Sequence, residues 1–385
     1  MPRPDHPVHP PGLDLLRAIA IVWVMAYHLV SHGPRLPAIA DLGWMGVDLF
    51  FVLSGFLIGG QVFAACARPA GPDWRAYLLR RALRVLPAYL AVLALYLWLP
   101  IWRESPGMAP GWQFLSFTSN LFADYPRHAA FSHAWSLCVE EHFYLLLPLV
   151  VIALSRRPSL RKGALFCAAL LAAGMLLRWW AWDAQVRPYL HVTQGEDWFF
   201  VRWVEHIYNP TYARLDGLLA GCALAAIKQF RPSWWRWMTA RGWIFIALGL
   251  VCVAAASLLF RDPAGVAAVV LGFPLLSLGL GGVLVGMASP DVLPGRVALP
   301  GARRLATLAF SLYLTHKAVY HLVDTCAGDV FGASNLSALI GYNAAALAAA
   351  LLLYLAVERP GLRLRAHLME KDRRADGAPL PLTPR

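Results

Sequence analysis

Ten stretches of mainly apolar residues follow one another along the chain. Each is close to the length of about 20 residues that a helix needs to cross roughly 30 Å of hydrocarbon. They lie near 13–33, 44–65, 83–102, 135–155, 163–182, 211–227, 243–260, 264–287, 304–327 and 334–357. The stretch at 211–227 is the shortest, and 109–123 has the length of a re-entrant or interfacial segment. The pattern predicts an all-α integral membrane protein with about ten transmembrane helices.

The composition agrees with a lipid environment. Of the 385 residues, 59% are hydrophobic and 15% are charged, whereas a soluble domain has about 45–50% apolar and about 25% charged residues. The six cysteines are scattered, mostly in apolar stretches, without a CxxC pair, which argues against a disulfide framework or a zinc ribbon. These features exclude an ordinary soluble domain.

The formal net charge of +12 would suggest a nucleic-acid partner if the protein were soluble. In a membrane protein the positions of the cations matter more, because cytoplasmic loops are enriched in lysine and arginine. With the N-terminus placed inside, most of the 34 lysines and arginines fall on inner segments. The charge pattern therefore predicts cytoplasmic N and C termini, and it argues against nucleic-acid binding.

The N-terminal segment does not have the features of a signal peptide. The first apolar stretch contains Arg17 and His28, and no small-residue cleavage site follows it. We therefore predict a retained first span and three regions of the chain. These are a cytoplasmic N-terminal segment at 1–12, a transmembrane domain at 13–360, and a basic, disordered cytoplasmic tail at 361–385.

Ionisable residues at membrane depth are candidates for function, because burying a charge there costs at least about 2.5–3.5 kcal/mol. Arg17 and His28 lie about 16 Å apart along one helix, which places Arg17 at the inner edge and His28 in the outer half. The alternative for His28 is a structural hydrogen bond to a neighbouring helix. His32 follows one turn later, but without an HExxH motif or a nearby thiolate we predict no metal site.

Glu140 and Glu141 open the fourth apolar stretch. Adjacent helical residues point about 100° apart, so only one of the two carboxylates faces a given cavity. We place Glu140 at a depth similar to that of His28, where a carboxylate could orient the imidazole as a general base. The alternative is a structural polar clamp between two helices.

Arg80, Arg81 and Arg84 form a basic cluster at the inner mouth of the third stretch. Arginine binds phosphate through two parallel hydrogen bonds, so this cluster is a candidate site for a phosphorylated cytoplasmic donor. A plain orientation signal would have the same sequence. Other ionisable residues in apolar stretches, each as readily structural as functional, are Asp48, Asp216, His316, Lys317 and Glu358.

Six short motifs together resemble the acyltransferase family 3 of multi-span membrane O-acyltransferases. In chain order they are LDLLRAIA at 13–20 leading to His28, GVDLFFVLSGFLI at 46–58, RRALRVLPAY at 80–89, WSLCVEEHFYLLLP at 135–148, SLYLTH at 311–316 and VERP at 357–360. Each motif alone is weakly specific, but six in the family's order are strongly specific.

The resemblance implies transfer of an acyl group, commonly acetyl from acetyl-CoA, to a hydroxyl of a carbohydrate or similar acceptor. It places the family's Arg-x10-His motif on Arg17 and His28, its Arg-x-x-Arg motif on Arg81 and Arg84, and its conserved glutamate on Glu140. Direct transfer and an acyl-enzyme intermediate both stay open. Departures from the family pattern, which leave the acceptor subfamily open, are Leu15, Ala18, His142 and Lys317.

The expected acceptor is a cell-envelope glycan, such as an O-antigen, an exopolysaccharide or a peptidoglycan sugar, free or lipid-linked. The expected location is the inner, or plasma, membrane. Acylation of a secreted small molecule such as a macrolide is an alternative, and a proton-coupled transporter is the alternative from another functional class. Because the chain ends near residue 385, we expect no appended extracellular domain and no built-in delivery partner. Oligomeric state is not predicted.

Overall fold

The computed structural model describes residues 10–155, 159–192, 197–331 and 334–375. All regular secondary structure in these ranges is helical, and they contain no β-strand. The predicted all-α fold class is therefore confirmed. The predicted N-terminal segment lies almost wholly in residues 1–9, outside the described residues.

Fifteen α-helices are present in the described ranges. They are α1 (Pro11–Leu29), α2 (Met45–Cys66), α3 (Trp74–Trp98), α4 (Gly111–Leu115), α5 (Trp135–Ser155), α6 (Leu160–Ala181), α7 (Trp198–Trp203), α8 (Asp216–Phe230), α9 (Pro232–Thr239), α10 (Gly242–Leu259), α11 (Phe273–Met287), α12 (Leu293–Arg296), α13 (Ala302–Phe331), α14 (Asn335–Leu353) and α15 (Arg359–Ala375). Two of the long helices have N-terminal caps. The Asp73 carboxylate accepts a hydrogen bond from the Ala76 amide at the start of α3, and Ser334 forms a capping box with Ser337 at the start of α14.

Seven helical stretches are long and apolar enough to cross a membrane, so the chain is a multi-pass membrane protein. They run over Pro11–His32, Met45–Cys66, Ser132–Leu154, Leu160–Tyr189, Gly242–Leu259, Ala268–Met287 and Asn335–Met369. The remaining three predicted spans correspond to α3, α8 and α13, which are helical but do not meet this criterion. Helix α8 has only 15 residues, and α3 and α13 carry several charged side chains. The predicted count of ten spans is therefore not confirmed.

Close helix packing holds the centre of the bundle together. A Cβ added to Gly46 would lie 2.7 Å from the Ala20 carbonyl oxygen on α1, and one added to Gly221 would lie 2.1 Å from that of Val52 on α2. Only glycine, which has no Cβ, permits these approaches. Such tight packing holds membrane helices together, because lipid tails are as apolar as the side chains. Helices α1, α2 and α8 are thereby fixed relative to one another.

The end of the chain differs from the predicted disordered tail. Helix α15 runs to Ala375, so the predicted tail at 361–385 is helical over its first part. Its sequence, rich in arginine, leucine and alanine, favours a helix, and a π-helical turn over Tyr354–Glu358 joins it to α14. Residues 376–385 lie outside the described residues.

Candidate active site

A pair of histidines joins α1 to α13. Nδ1 of His28 lies 2.8 Å from Nε2 of His316. Nδ1 of His316 is 3.0 Å from the Leu312 carbonyl oxygen and 2.9 Å from that of Tyr313. Since carbonyl oxygens only accept hydrogen bonds, Nδ1 of His316 carries the proton and its Nε2 accepts one from His28.

This arrangement fixes the tautomer of His28. Its Nδ1 donates to His316, so its Nε2 keeps a lone pair, and no hydrogen bond to Nε2 is formed within the described part of the chain. His28 is half-buried, whereas His316 is fully buried. The pair therefore presents one basic nitrogen while its supporting ring is shielded from solvent, as a general base requires.

A group of polar side chains braces the histidine pair. The ring centroid of His133 lies 5.5 Å from that of His316. Lys317 donates a hydrogen bond to Oγ of Ser132 at 2.7 Å and forms a 3.2 Å ion pair with Glu104. These contacts tie the long segment between α3 and α5 to α13 beside the pair. We call this region the histidine end of the bundle.

His32 has partners of its own, one helical turn beyond His28. Its Nδ1 is hydrogen-bonded to a carboxylate oxygen of Asp324, and the other oxygen of that carboxylate accepts a hydrogen bond from Tyr342. In the described ranges, no three His, Cys, Asp or Glu side chains are grouped so as to hold a metal ion. His28 on α1 and His32, in the 3₁₀ turn over Val30–His32 that follows it, thus make two separate contacts with α13.

The predicted phosphate-binding arginines of α3 lie beside the end of α1 that is opposite to His28. Nη1 of Arg84 forms a 2.7 Å ion pair with Glu358, whose other oxygen accepts a 2.6 Å hydrogen bond from Ser311. The guanidinium of Arg81 lies over the ring of Tyr144, 5.5 Å from its centroid. Glu358 is almost completely buried, so it fixes Arg84 between α3, α13 and the start of α15.

Arg17 and Arg80 complete this cluster. Arg17 makes a long 3.7 Å ion pair with Asp14 and lies within electrostatic range of Arg81 and Arg84. Nη1 of Arg80 lies 3.5 Å from the sulfur of Met369 on α15. The structure thus brings together the four arginines singled out in the sequence, and we call this region the arginine end.

Glu140 belongs to the arginine end and does not contact His28. Its carboxylate accepts hydrogen bonds from Ser54 at 2.9 Å and from Tyr144 at 3.0 Å, and it is within electrostatic range of Arg17. Gly46, near the start of α2, packs on Ala20 of α1. Ser54 lies eight residues further along α2, and therefore about 12 Å further from the histidine end. The predicted His28–Glu140 pair is therefore not formed. Sequence position placed both residues in the outer half, but the contacts of α2 put Glu140 deeper.

Asp48 and Asp216 each form a buried ion pair with an arginine. Oδ1 of Asp48 accepts a 2.7 Å hydrogen bond from Arg214, whose guanidinium also lies 4.3 Å from the ring centroid of Phe273. Asp216 accepts two hydrogen bonds from Arg178, at 2.6 and 3.1 Å. All four charged side chains are buried, and neither pair contacts the histidine pair. Their arrangement joins α2, α6 and α8.

The sequence did not single out several residues of the buried ion pairs and of the histidine end. Arg178 had a usable signal, because an arginine inside an apolar stretch needs a buried partner. His133 and Glu104 had no comparable signal, since they lie in or beside a long segment with no clear periodicity. Glu141, a further candidate, is half-buried beside Glu140, and the structure assigns it no hydrogen bond within the described residues.

The chain is similar to known acyltransferases. A family model described as an acyltransferase domain matches residues 11–355. O-acetyltransferase OatA of Staphylococcus aureus is 30% identical over 236 residues, which cover 57% of this chain and 35% of the relative.

Two further relatives match over nearly the same length. The putative peptidoglycan O-acetyltransferase YrhL of Bacillus subtilis is 29% identical over 240 residues, covering 58% of this chain and 34% of the relative. The peptidoglycan O-acetyltransferase OatA of Listeria monocytogenes is 28% identical over 233 residues, covering 57% and 34%. The match therefore spans about a third of the length of these relatives. No solved structure matches the chain significantly.

Proposed function

Because this chain belongs to the acyltransferase family 3, whose domain model matches residues 11–355, we propose that it is a membrane-bound O-acetyltransferase. The donor is acetyl-CoA, and the acceptor is a hydroxyl of a cell-envelope carbohydrate. The names of the relatives support an O-acetyltransferase, and two of these names specify peptidoglycan. The observation that carries the proposal is the His28–His316 pair, which leaves one imidazole nitrogen of His28 free to accept a proton.

The donor binds at the arginine end. CoA carries a pyrophosphate and a further phosphate on its nucleotide half, and arginine is the side chain best suited to pair with phosphate oxygens. Arg17, Arg80, Arg81 and Arg84 supply four such side chains on two helices. In the proposed topology this end faces the cytoplasm, the compartment that contains CoA, and the membrane is the cytoplasmic membrane.

The acceptor hydroxyl is activated at the histidine end. Nε2 of His28 takes the hydroxyl proton while the oxygen attacks the acyl carbonyl carbon, and the CoA thiolate leaves and is protonated. The long pantetheine arm of CoA links the phosphates to the thioester, which accounts for a base about 16 Å along α1 from Arg17. The same proton abstraction is needed if the acetyl group first passes through an acyl-enzyme.

Glu140 has a different role from the one that its sequence position suggests. Its carboxylate is held by Ser54 and Tyr144 and lies within electrostatic range of Arg17 and Arg81. Because Arg81 also lies over the Tyr144 ring, we assign Glu140 to the orientation of the arginine end. His316 takes the role of the partner that orients the base.

The test compares purified variants in a labelled acetyl-CoA assay that follows thiol release and label in envelope glycan. General base catalysis contributes about 10²–10⁴-fold, so we expect a loss of that order in His28→Ala. The matched control is His191→Ala, an exposed histidine outside the site. Activity at the wild-type level in His28→Ala would refute the base assignment.

The donor site is tested separately. Arg81→Ala removes a guanidinium that lies over the Tyr144 ring and forms no ion pair among the described residues, so it breaks no direct ion pair. We expect a raised KM for acetyl-CoA with a smaller effect on kcat. An unchanged KM would mean that Arg81 does not bind the donor and only helps to set the orientation of the chain in the membrane. Mass analysis of envelope glycans with and without the gene then identifies the acetylated sugar.

A further inference from the structure

Helix α15 packs against α3 in an antiparallel register that two contacts define. A Cβ added to Gly361 would lie 3.1 Å from Cγ of Pro87, and the sulfur of Met369 lies 3.5 Å from Nη1 of Arg80. The contacts are eight residues apart on α15 and seven apart on α3, in opposite directions. Residues 361, 365 and 369 share one helix face, so Arg365 faces α3 midway between the contacts, at the level of Arg84.

The electrostatics of this interface are unusual. Arg365 is half-buried and lies within electrostatic range of Arg80, Arg81 and Arg84. Helices that pack together normally place apolar or oppositely charged residues at such positions, because like charges on facing positions repel. Glu358 pairs with Arg84, but no carboxylate in the described ranges pairs with Arg365 or Arg81. Four guanidinium groups therefore lie close together at this interface, an arrangement that a bound polyanion would stabilise.

We propose that Arg365 binds a phosphate of the nucleotide half of acyl-CoA, so that α15 forms one wall of the donor site. This inference rests on the proposed function, because it extends the donor site at the arginine end. Family membership does not imply it, since the match to the family model ends at residue 355. Two guanidinium groups on facing helices can donate hydrogen bonds to different phosphate oxygens of one nucleotide.

An anionic phospholipid headgroup offers the same phosphate chemistry as the nucleotide. We favour the nucleotide because the side chain of Arg365 points at α3 and the arginine end, whereas a lipid contact needs a side chain directed outwards. Arg363 is such a side chain: it is exposed and, two residues away, it lies about 200° around the helix from Arg365. It therefore provides a matched control.

The experiment uses the full-length protein in phosphatidylcholine nanodiscs. Binding of CoA, and of dephospho-CoA without the 3′-phosphate, is measured by calorimetry for the wild type, Arg365→Ala and Arg363→Ala. We expect the Kd for CoA to rise on the order of tenfold in Arg365→Ala and to stay at the wild-type value in Arg363→Ala. A loss for CoA alone assigns Arg365 to the 3′-phosphate, and a loss for both ligands assigns it to the pyrophosphate.

Unchanged CoA binding in Arg365→Ala would overturn the inference. If phosphatidylglycerol co-purifies with the wild type but not with Arg365→Ala, and CoA affinity is unchanged, Arg365 binds lipid and the inference is overturned as well. If the wild type fails to bind CoA, the proposed donor site itself is wrong. If Arg81→Ala weakens binding and Arg365→Ala does not, only the role of α15 is wrong. Thermal unfolding of each variant, with Arg365→Lys as a conservative replacement, separates loss of binding from loss of fold.

Discussion

The hydrogen bond from His28 to His316 makes a sharp prediction about catalysis. Replacing His316 on α13 by alanine removes the acceptor that holds His28 in its productive tautomer. The substitution does not change any residue of α1. Glutamine can place its carbonyl oxygen near the former Nε2 position, where it accepts the same hydrogen bond. Asparagine is shorter and reaches only the position of Nδ1. The three variants therefore differ in whether His28 keeps a partner.

The expected magnitude follows from the change in charge of His28. A hydrogen bond to a charged group contributes about 1.5–3 kcal/mol, roughly twice the value for neutral partners. His28 becomes an imidazolium when it accepts the proton, so the bond to His316 strengthens towards the transition state. Only this strengthening, about 0.75–1.5 kcal/mol, affects kcat. At 1.36 kcal/mol for each factor of ten in rate, His316→Ala should therefore lower kcat by about 4- to 13-fold. This loss is smaller than the one expected for His28→Ala.

The assay measures kcat and KM for acetyl-CoA with purified protein, together with the thermal unfolding midpoint of each variant. We expect His316→Gln to retain more activity than His316→Asn, with KM for the donor unchanged in both. A wild-type kcat in His316→Ala would refute the reasoning, as would equal activities for the glutamine and asparagine variants at equal stability. The second result would mean that His316 only fills space.

Two further predictions concern stability, measured by thermal unfolding in detergent. Asp48→Ala leaves the buried guanidinium of Arg214 without its ion-pair partner, so it should destabilise the protein by about 3–5 kcal/mol. Gly221→Ala places a Cβ 2.1 Å from the Val52 carbonyl oxygen and should cost about 1–3 kcal/mol. Gly163→Ala, where an added Cβ meets nothing within 4 Å, serves as the control. Equal midpoints for the two glycine variants would contradict the packing argument.

Much of the fold was predictable from the sequence because lipid imposes simple rules on helix length and hydropathy. Seven of the ten predicted stretches overlap helices that satisfy the criteria for a membrane span. Helices α3 and α13 satisfy them less well because they carry several charged side chains, among them Arg80, Arg81 and Arg84 of the proposed donor site on α3. Charged residues of a proposed site thus weaken the hydropathy signal of the helix that bears them.

The sequence did not predict which of the candidate residues contact one another. Sequence position gives the depth of a residue along its own helix, but it does not give the face that meets a neighbour. His28 and His316 are 288 residues apart, and only the packing of α1 against α13 shows that they touch. The His28–Glu140 pair failed for the same reason: its estimated depths ignored how α2 and α5 lie relative to α1.

Helix α13 links the two ends of the site. Ser311 donates to Glu358, which holds Arg84, and five residues later His316 accepts from His28. A movement of α13 along its axis would therefore alter the arginine end and the base together. Because α15 follows Glu358 directly, a donor bound between α3 and α15 would press on the same carboxylate. The geometry thus provides a physical route by which donor binding could reach His28, through packed side chains on one helix.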